Sequence, residues 1–283
     1  MTTVTTTGSP KAWGLDVLGV KPDQVIPEAL ILQITSKAGF VEGDSPAVRV
    51  PAIRIDEDEI GFVREGDDIP EADPNLAELV LHTGKIAHLI KVSREQVAQP
   101  EALTTILQGQ KRALIAKADY AMLQTPAPVA PATYPPAGLL AHATDAGVIG
   151  DNLDALVDAQ TVVSSLPGGV ATHVVASPEA YAYVRKLKKA TGSAESLVGA
   201  GVEAGVPMLL GIPVLLTSAM PADRIAVLDR NQILSAYGDV LVARSDEFYF
   251  DSDNVALRAT FRFGVGILDP QAVQVISLPD ETP

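Results

Sequence analysis

The sequence predicts an α+β chain in which β-runs and one long helix bracket a separate α/β unit. Three observations carry this reading. Residues 255–266 alternate cleanly: Val255, Leu257, Ala259, Phe261 and Phe263 share one face of a strand, and Arg258, Thr260 and Arg262 share the other. Residues 93–125 hold a helical stripe, with Leu103, Leu107, Leu114, Ala118 and Ala121 on one face and Ile106 beside it. Residues 150–233 alternate helix and strand patterns between short turns.

Taken in order, residues 1–40 read as an N-terminal arm. Gly8, Pro10, Gly14, Gly19, Pro22 and Pro27 interrupt helices and strands alike, and only 29–34 is strongly apolar. Such a segment is expected to lie across something else. Residues 41–91 read as extended. Val48, Val50, Ile53 and Ile55 nearly alternate, the acidic run Asp56-Glu57-Asp58-Glu59 follows, and 60–66 turns apolar again. Two β-runs around a charged tip predict a long hairpin, and a sheet resumes over 78–92. Between Glu42 and Glu78 twelve acids face three bases (Arg49, Arg54 and Arg64), so this segment holds −9 of the chain's −14.

The long helix of 92–125 starts either at Ser93, an N-cap followed by Glu95 and Gln96, or at Pro100. It stops at Pro126, where five prolines in 126–136 predict a stiff linker reaching to 149. In the α/β unit, a helix over 151–165 carries Leu153, Leu156, Val157 and Val163. The buried strand 173–176 comes next, and Ser177-Pro178-Glu179 opens a second helix that ends in the basic run 185–189. Strands at 208–216 and 225–228 complete the unit. Residues 234–283 return to β, with a final strand over 272–276.

Composition narrows the function. The 283 residues include no cysteine, which excludes a disulfide scaffold, a thiolate metal site and a cysteine nucleophile. A pI near 4.6 argues against a general basic face for nucleic acid. No stretch approaches the roughly 20 apolar residues of a membrane span, and no cationic segment leads an apolar one. The chain is expected to be soluble, made in the cytoplasm and without a membrane partner.

Catalytic chemistry is hard to assemble from these residues. His82, His88, His142 and His173 never stand three or four apart, as a helical metal site requires. Asp56-x-Asp58 opens like a calcium loop, but its fifth position is Ile60 and its twelfth is Asp67. Gly199, Gly201 and Gly205 have the wrong spacing for a dinucleotide loop. Ser164, Ser165 and Ser235 lack a histidine base nearby in sequence. The expectation is no catalytic, cofactor-binding or metal residue. A large globular chain without such chemistry fits an assembly protein.

Three motifs, in this order, resemble the major capsid protein of tailed double-stranded-DNA bacteriophages. Residues 62–74, Phe-Val-Arg-Glu-Gly-Asp-Asp-Ile-Pro-Glu-Ala-Asp-Pro, are similar to that family's aromatic-x-x-Glu-Gly…Ile-Pro segment. Residues 85–93, Lys-Ile-Ala-His-Leu-Ile-Lys-Val-Ser, resemble its approach to the long spine helix. Residues 255–264 with Asp269-Pro270-Gln271-Ala272 resemble its C-terminal strand pair. Together these cover most of 40–276.

The resemblance implies a tailed-phage major capsid fold. Its parts would be an N-terminal arm (1–40), an extended hairpin loop with adjoining strands (41–91), and a peripheral domain built on the spine helix (92–125) and C-terminal strands (234–283). A Pro-rich linker (126–149) would lead to an axial α/β domain (150–233). It implies pentamers and hexamers that build an icosahedral head around double-stranded DNA without sequence-specific contact. The implied partners are a separate scaffolding protein and a portal, and the implied location is the virion. Residues 38–84 contain no lysine, so a covalent cross-link from the extended loop has no donor. Arg64, Glu65, Arg258 and Arg262 are the expected inter-subunit contacts. Two other readings stand beside this one: an encapsulin-like compartment shell and, further off, a soluble α/β enzyme centred on 150–233.

Overall fold

The computed structural model describes residues 17–54, 62–66, 75–190, 193–198 and 207–279. Among them are two sheets and a two-stranded ribbon. The first sheet is ordered β1 (Val17–Val20), β12 (Val240–Tyr249), β13 (Asn254–Ile267), β11 (Ile233–Tyr237) and β2 (Ser36–Phe40), with β5 (Gly84–Ser93) along the other edge of β13. The second runs β6 (Thr144–Val148), β14 (Val273–Ser277), β10 (Arg224–Leu228), β7 (His173–Ala176), β9 (Ile212–Leu216) and β8 (Met208–Leu209). The ribbon pairs β3 (Ala47–Arg54) with β4 (Asn75–His82).

The alternation of β13 sets the first core. Val255, Leu257, Ala259, Phe261 and Phe263 are buried, whereas Arg258 is exposed. Phe261 and Phe263 stack at 5.4 Å between ring centroids. Against them lies α4 (Pro100–Gln124), which buries Leu114, Ala118, Met122 and Leu123. The same core receives Val175, Ala226, Leu228, Val273 and Val275 from one face of the second sheet. The other face packs under α5 (Asp154–Ser164) and α6 (Pro178–Lys186) through Leu156, Ala159, Val163, Ala180 and Val184. One helix thus ties both units through continuous apolar contact.

Both expected starts of the long helix are used. Ser93 caps a single turn, α3 (Arg94–Val97), by accepting from the Gln96 N–H, and Pro100 starts α4 afresh. Ser177 likewise caps α6, accepting from the Ala180 N–H at 2.9 Å.

Several expectations are corrected. The part of the arm over 20–40 belongs to this chain's own core: α1 (Pro22–Val25) and α2 (Leu30–Gln33) bring Ile26, Ala29, Leu30, Ile31 and Ile34 under the first sheet. Its prolines flank short helices instead of forbidding them. The partner of 47–54 in the hairpin is 75–82, because Val50 and Leu81 bury there, while 62–66 is an exposed turn without strand pairing. The charged tip 56–59 lies outside the described residues.

On α4 the buried stripe is Gln110, Leu114, Ala118 and Met122, and Leu107 faces out. The linker gives way at 144 to β6. Residues 208–216 form two strands, not one, turned at Leu210 and Gly211, whose φ values of 51° and 80° make the left-handed bend. The last strand, β14, joins the second sheet between β6 and β10, leaving the peripheral strands without it.

Candidate assembly surface

The ribbon leaves the body over a close-fitting base. Val41, Val50, Leu81 and Ala236 form a small core there, with Val48, Leu79 and Leu234 packed on it. At Gly264 a Cβ would lie 2.3 Å from the His82 carbonyl oxygen, and at Gly39 one would meet Val48 at 2.8 Å. At Gly264 the neighbour is backbone, so only hydrogen fits there, whereas at Gly39 it is the Val48 side chain.

Arg262 locks this base. Its Nη2 is 3.2 Å from Asp44 Oδ1, and its Nη1 donates to Thr83 Oγ1 at 3.0 Å and to the Ser45 carbonyl at 3.4 Å. Lys85 Nζ reaches the same Asp44 oxygen at 3.6 Å. The Arg262 side chain is 16% exposed. One expected inter-subunit arginine is therefore committed inside the chain, where it fixes the ribbon's angle of departure. The ribbon's hydrogen-bonded arms are eight residues each, about 26 Å long.

The face of β5, β13 and β12 opposite α4 is uncovered among the described residues. Register places Arg258 beside Leu89 on one side and Ala243 on the other, and Thr260 beside Ala87 and Leu241. Leu89 and Leu241 are exposed, and Arg258 makes no ion pair among the described residues. Lys91, on the same row of β5, lies 4.8 Å from the Tyr249 ring centroid. The face is basic and part apolar in a chain that is strongly acidic.

Two exposed aromatics were not singled out in the sequence. At the tip of the β12–β13 hairpin, Phe248 is 64% and Phe250 is 86% exposed. The turn at 250–253, with Asp253 at φ 46°, places Phe250 past the end of β12. Arg94 braces that tip, 2.7 Å from Asp253 Oδ1. Arg64 and Glu65 sit in the exposed turn of 62–66.

The other sequence candidates are absorbed structurally. The basic run after α6 closes a loop: Lys189 is 2.6 Å from Glu195, and Lys188 Nζ donates to the Ala194 carbonyl at 3.2 Å. Ser235 Oγ accepts from buried Thr35 Oγ1 at 2.7 Å. His173 is held below its usual pKa by burial and by Arg230. Among the described residues no three His, Asp or Glu side chains gather as a metal would need. The calcium-like run and Gly199, Gly201 and Gly205 lie outside the described residues.

Among the described residues the ribbon, the basic sheet face and the exposed aromatics of the β12–β13 tip are therefore the surfaces left open. A model of the phage capsid family matches residues 33–278, and the chain belongs to that family. It is a structural capsid protein, a component of the virion, with the tailed-phage major capsid fold. Its fold is similar to a chain of Gordonia phage Cozz, at TM-score 0.67 and 16% identity over 89% of this chain and 87% of that one. It is similar to a chain of Mycobacterium phage Adephagia at TM-score 0.65 and 15% identity over 100% of both. A third likeness is to the capsid of a native GTA particle, at 0.64 and 19% over 88% and 89%. No curated relative matches the sequence.

Proposed function

We propose that the chain assembles into the pentamers and hexamers of an icosahedral head that encloses double-stranded DNA, with a separate scaffolding protein and a portal as partners. In this reading the ribbon and the acidic segment beyond it cross the open sheet face of a neighbouring subunit. Arg258 meets that neighbour's carboxylates there, and Arg64 and Glu65 belong to the crossing segment. The observation that carries the reading is the division of labour on β13: Arg262 is consumed in holding the ribbon's base, while Arg258, beside exposed Leu89, has no ion pair and its face no covering layer among the described residues. An exposed apolar and basic sheet face gains its burial from a partner.

Electron microscopy and mass photometry of the purified protein test this. Closed shells far above the 29.6 kDa chain are expected, and particles from infected cells should hold nuclease-protected DNA. A monomer at every salt and protein concentration overturns the assembly reading. Shells that protect protein cargo and no DNA would favour a compartment over a head.

A further inference from the structure

Residues 26–34 are fastened to α4 at two points. Lys111 Nζ lies 3.2 Å from Glu28 Oε2. Two turns further along, Asp119 Oδ1 accepts from the Leu30 backbone N–H at 2.8 Å. Leu30 is the first residue of α2, so its N–H has no partner within that helix.

The two points differ in kind. The Glu28–Lys111 pair is largely in water and worth little. Asp119 is buried, 8% exposed, and no cation pairs with it among the described residues. Ionised, it is stripped of water and recovers a single hydrogen bond. Asp119 also borders a groove of about 280 Å³ with Arg112, Tyr120 and the 217–219 loop. That loop is tied to the same helix by Gln124 Nε2, which donates to the Ala219 carbonyl. The N-terminal segment, the spine helix and the second unit therefore meet at one carboxyl.

We propose that Asp119 is a proton-dependent latch: with its carboxyl neutral, residues 26–34 stay shut on α4, and ionisation makes that segment open more readily. Either state leaves Oδ1 able to accept from Leu30, but only the ionised state gains from the water that opening admits. Burial is the leading cause that holds the Asp119 pKa at about 6 against the ordinary 3.8, and the Leu30 hydrogen bond opposes it.

The other titratable or charged groups at the latch are Arg112 and Tyr120 on the groove and the Glu28–Lys111 pair on the segment side; Thr217, Ser218 and Ala219 do not titrate. Glu28 is held below its usual value by backbone hydrogen bonding and Lys111, so it stays ionised above pH 5.

Hydrogen exchange of the full-length protein at pH 5 and pH 8, corrected for intrinsic rates, reads the opening of 26–34. Between those pH values the opening constant should rise about tenfold. Asp119→Asn, which keeps an acceptor for Leu30, should abolish the rise. Glu28→Gln should leave it intact, which separates the latch from the surface pair and does not depend on the first variant folding. Flat wild-type exchange, or a rise that survives in Asp119→Asn, overturns the proposal.

Discussion

The backbone carbonyl of His82 and the α-carbon of Gly264 are in direct apposition: a methyl group placed on Gly264 would stand 2.3 Å from the His82 oxygen. The contact is backbone against backbone, so neither side can yield by rotating a side chain. Gly264→Ala should therefore lower stability by about 1–3 kcal/mol. Gly266→Ala should cost less, since its nearest neighbour, at 2.5 Å, is the end of the Leu81 side chain. Chemical denaturation of the two variants decides; equal losses would contradict the backbone argument.

Arg262 and Arg258 should separate stability from assembly. Arg262→Ala removes the ties to Asp44, Thr83 and Ser45 and should destabilise by about 1–3 kcal/mol. Arg258→Glu breaks no ion pair among the described residues and should stay within about 0.5 kcal/mol of the parent. It should nevertheless suppress shell formation in light scattering. Normal assembly by Arg258→Glu would remove that residue from the interface.

Phe250→Ser should leave the melting temperature unchanged, because the ring is already in water. Shell yield should fall if the tip meets a neighbour. Unchanged yield would assign the tip to the free surface.

Salt should promote assembly. The segment Glu42 to Glu78 carries −9, and the structure withdraws Arg262 and Lys85 from the bases that could answer it across an interface, since both face Asp44. Repulsion between neighbours then outweighs Arg258. Raising salt from about 0.05 to 0.5 M shortens the screening length from roughly 14 to 4 Å. Light scattering should increase along that titration, and shells that dissolve would reverse the sign.

Asp119 gives the fold a signed pH dependence. Its carboxyl holds protons more tightly when folded, at about 6 against 3.8. The stabilisation is complete below the unfolded value and is lost as pH rises through about 6. Asp119→Asn should consequently gain on the wild type from pH 4 to pH 8, by on the order of 2 kcal/mol. Urea titrations at the two ends measure it, and parallel curves would show that the carboxyl is solvated.

Local chemistry was legible in the sequence. Ser177-Pro178-Glu179 announces α6 because cap, N1 proline and first-turn acid act within one turn, and β13 announces itself because one face is wholly buried. Pairing at a distance was not. Val50 joins Leu79 across 29 residues, and nothing near residue 50 distinguishes that partner from Phe62 or Val63. The helices of 22–33 are four residues each, too short to form without the core that covers them, so their prolines read as breaks. For the surface, the pattern of β13 located Arg258 and Arg262 on one face, but only the fold shows that Asp44, 218 residues away, takes Arg262. The exposure of Phe248 and Phe250 follows from where β12 ends, which their local sequence does not mark.

The placement of β14 bears on the order of synthesis. Of the strands described it is made last, yet it stands inside the second sheet with β10 on one side and β6 on the other. Before residues 273–277 emerge, β6 has no strand to pair with, β10 shows a bare edge, and the core lacks Val273 and Val275. A polypeptide interrupted short of that point cannot close its second unit, however well its earlier segments fold. If the chain assembles as proposed, translation itself would screen the supply of subunits, because a product cut short of β14 lacks the strand that closes its second unit.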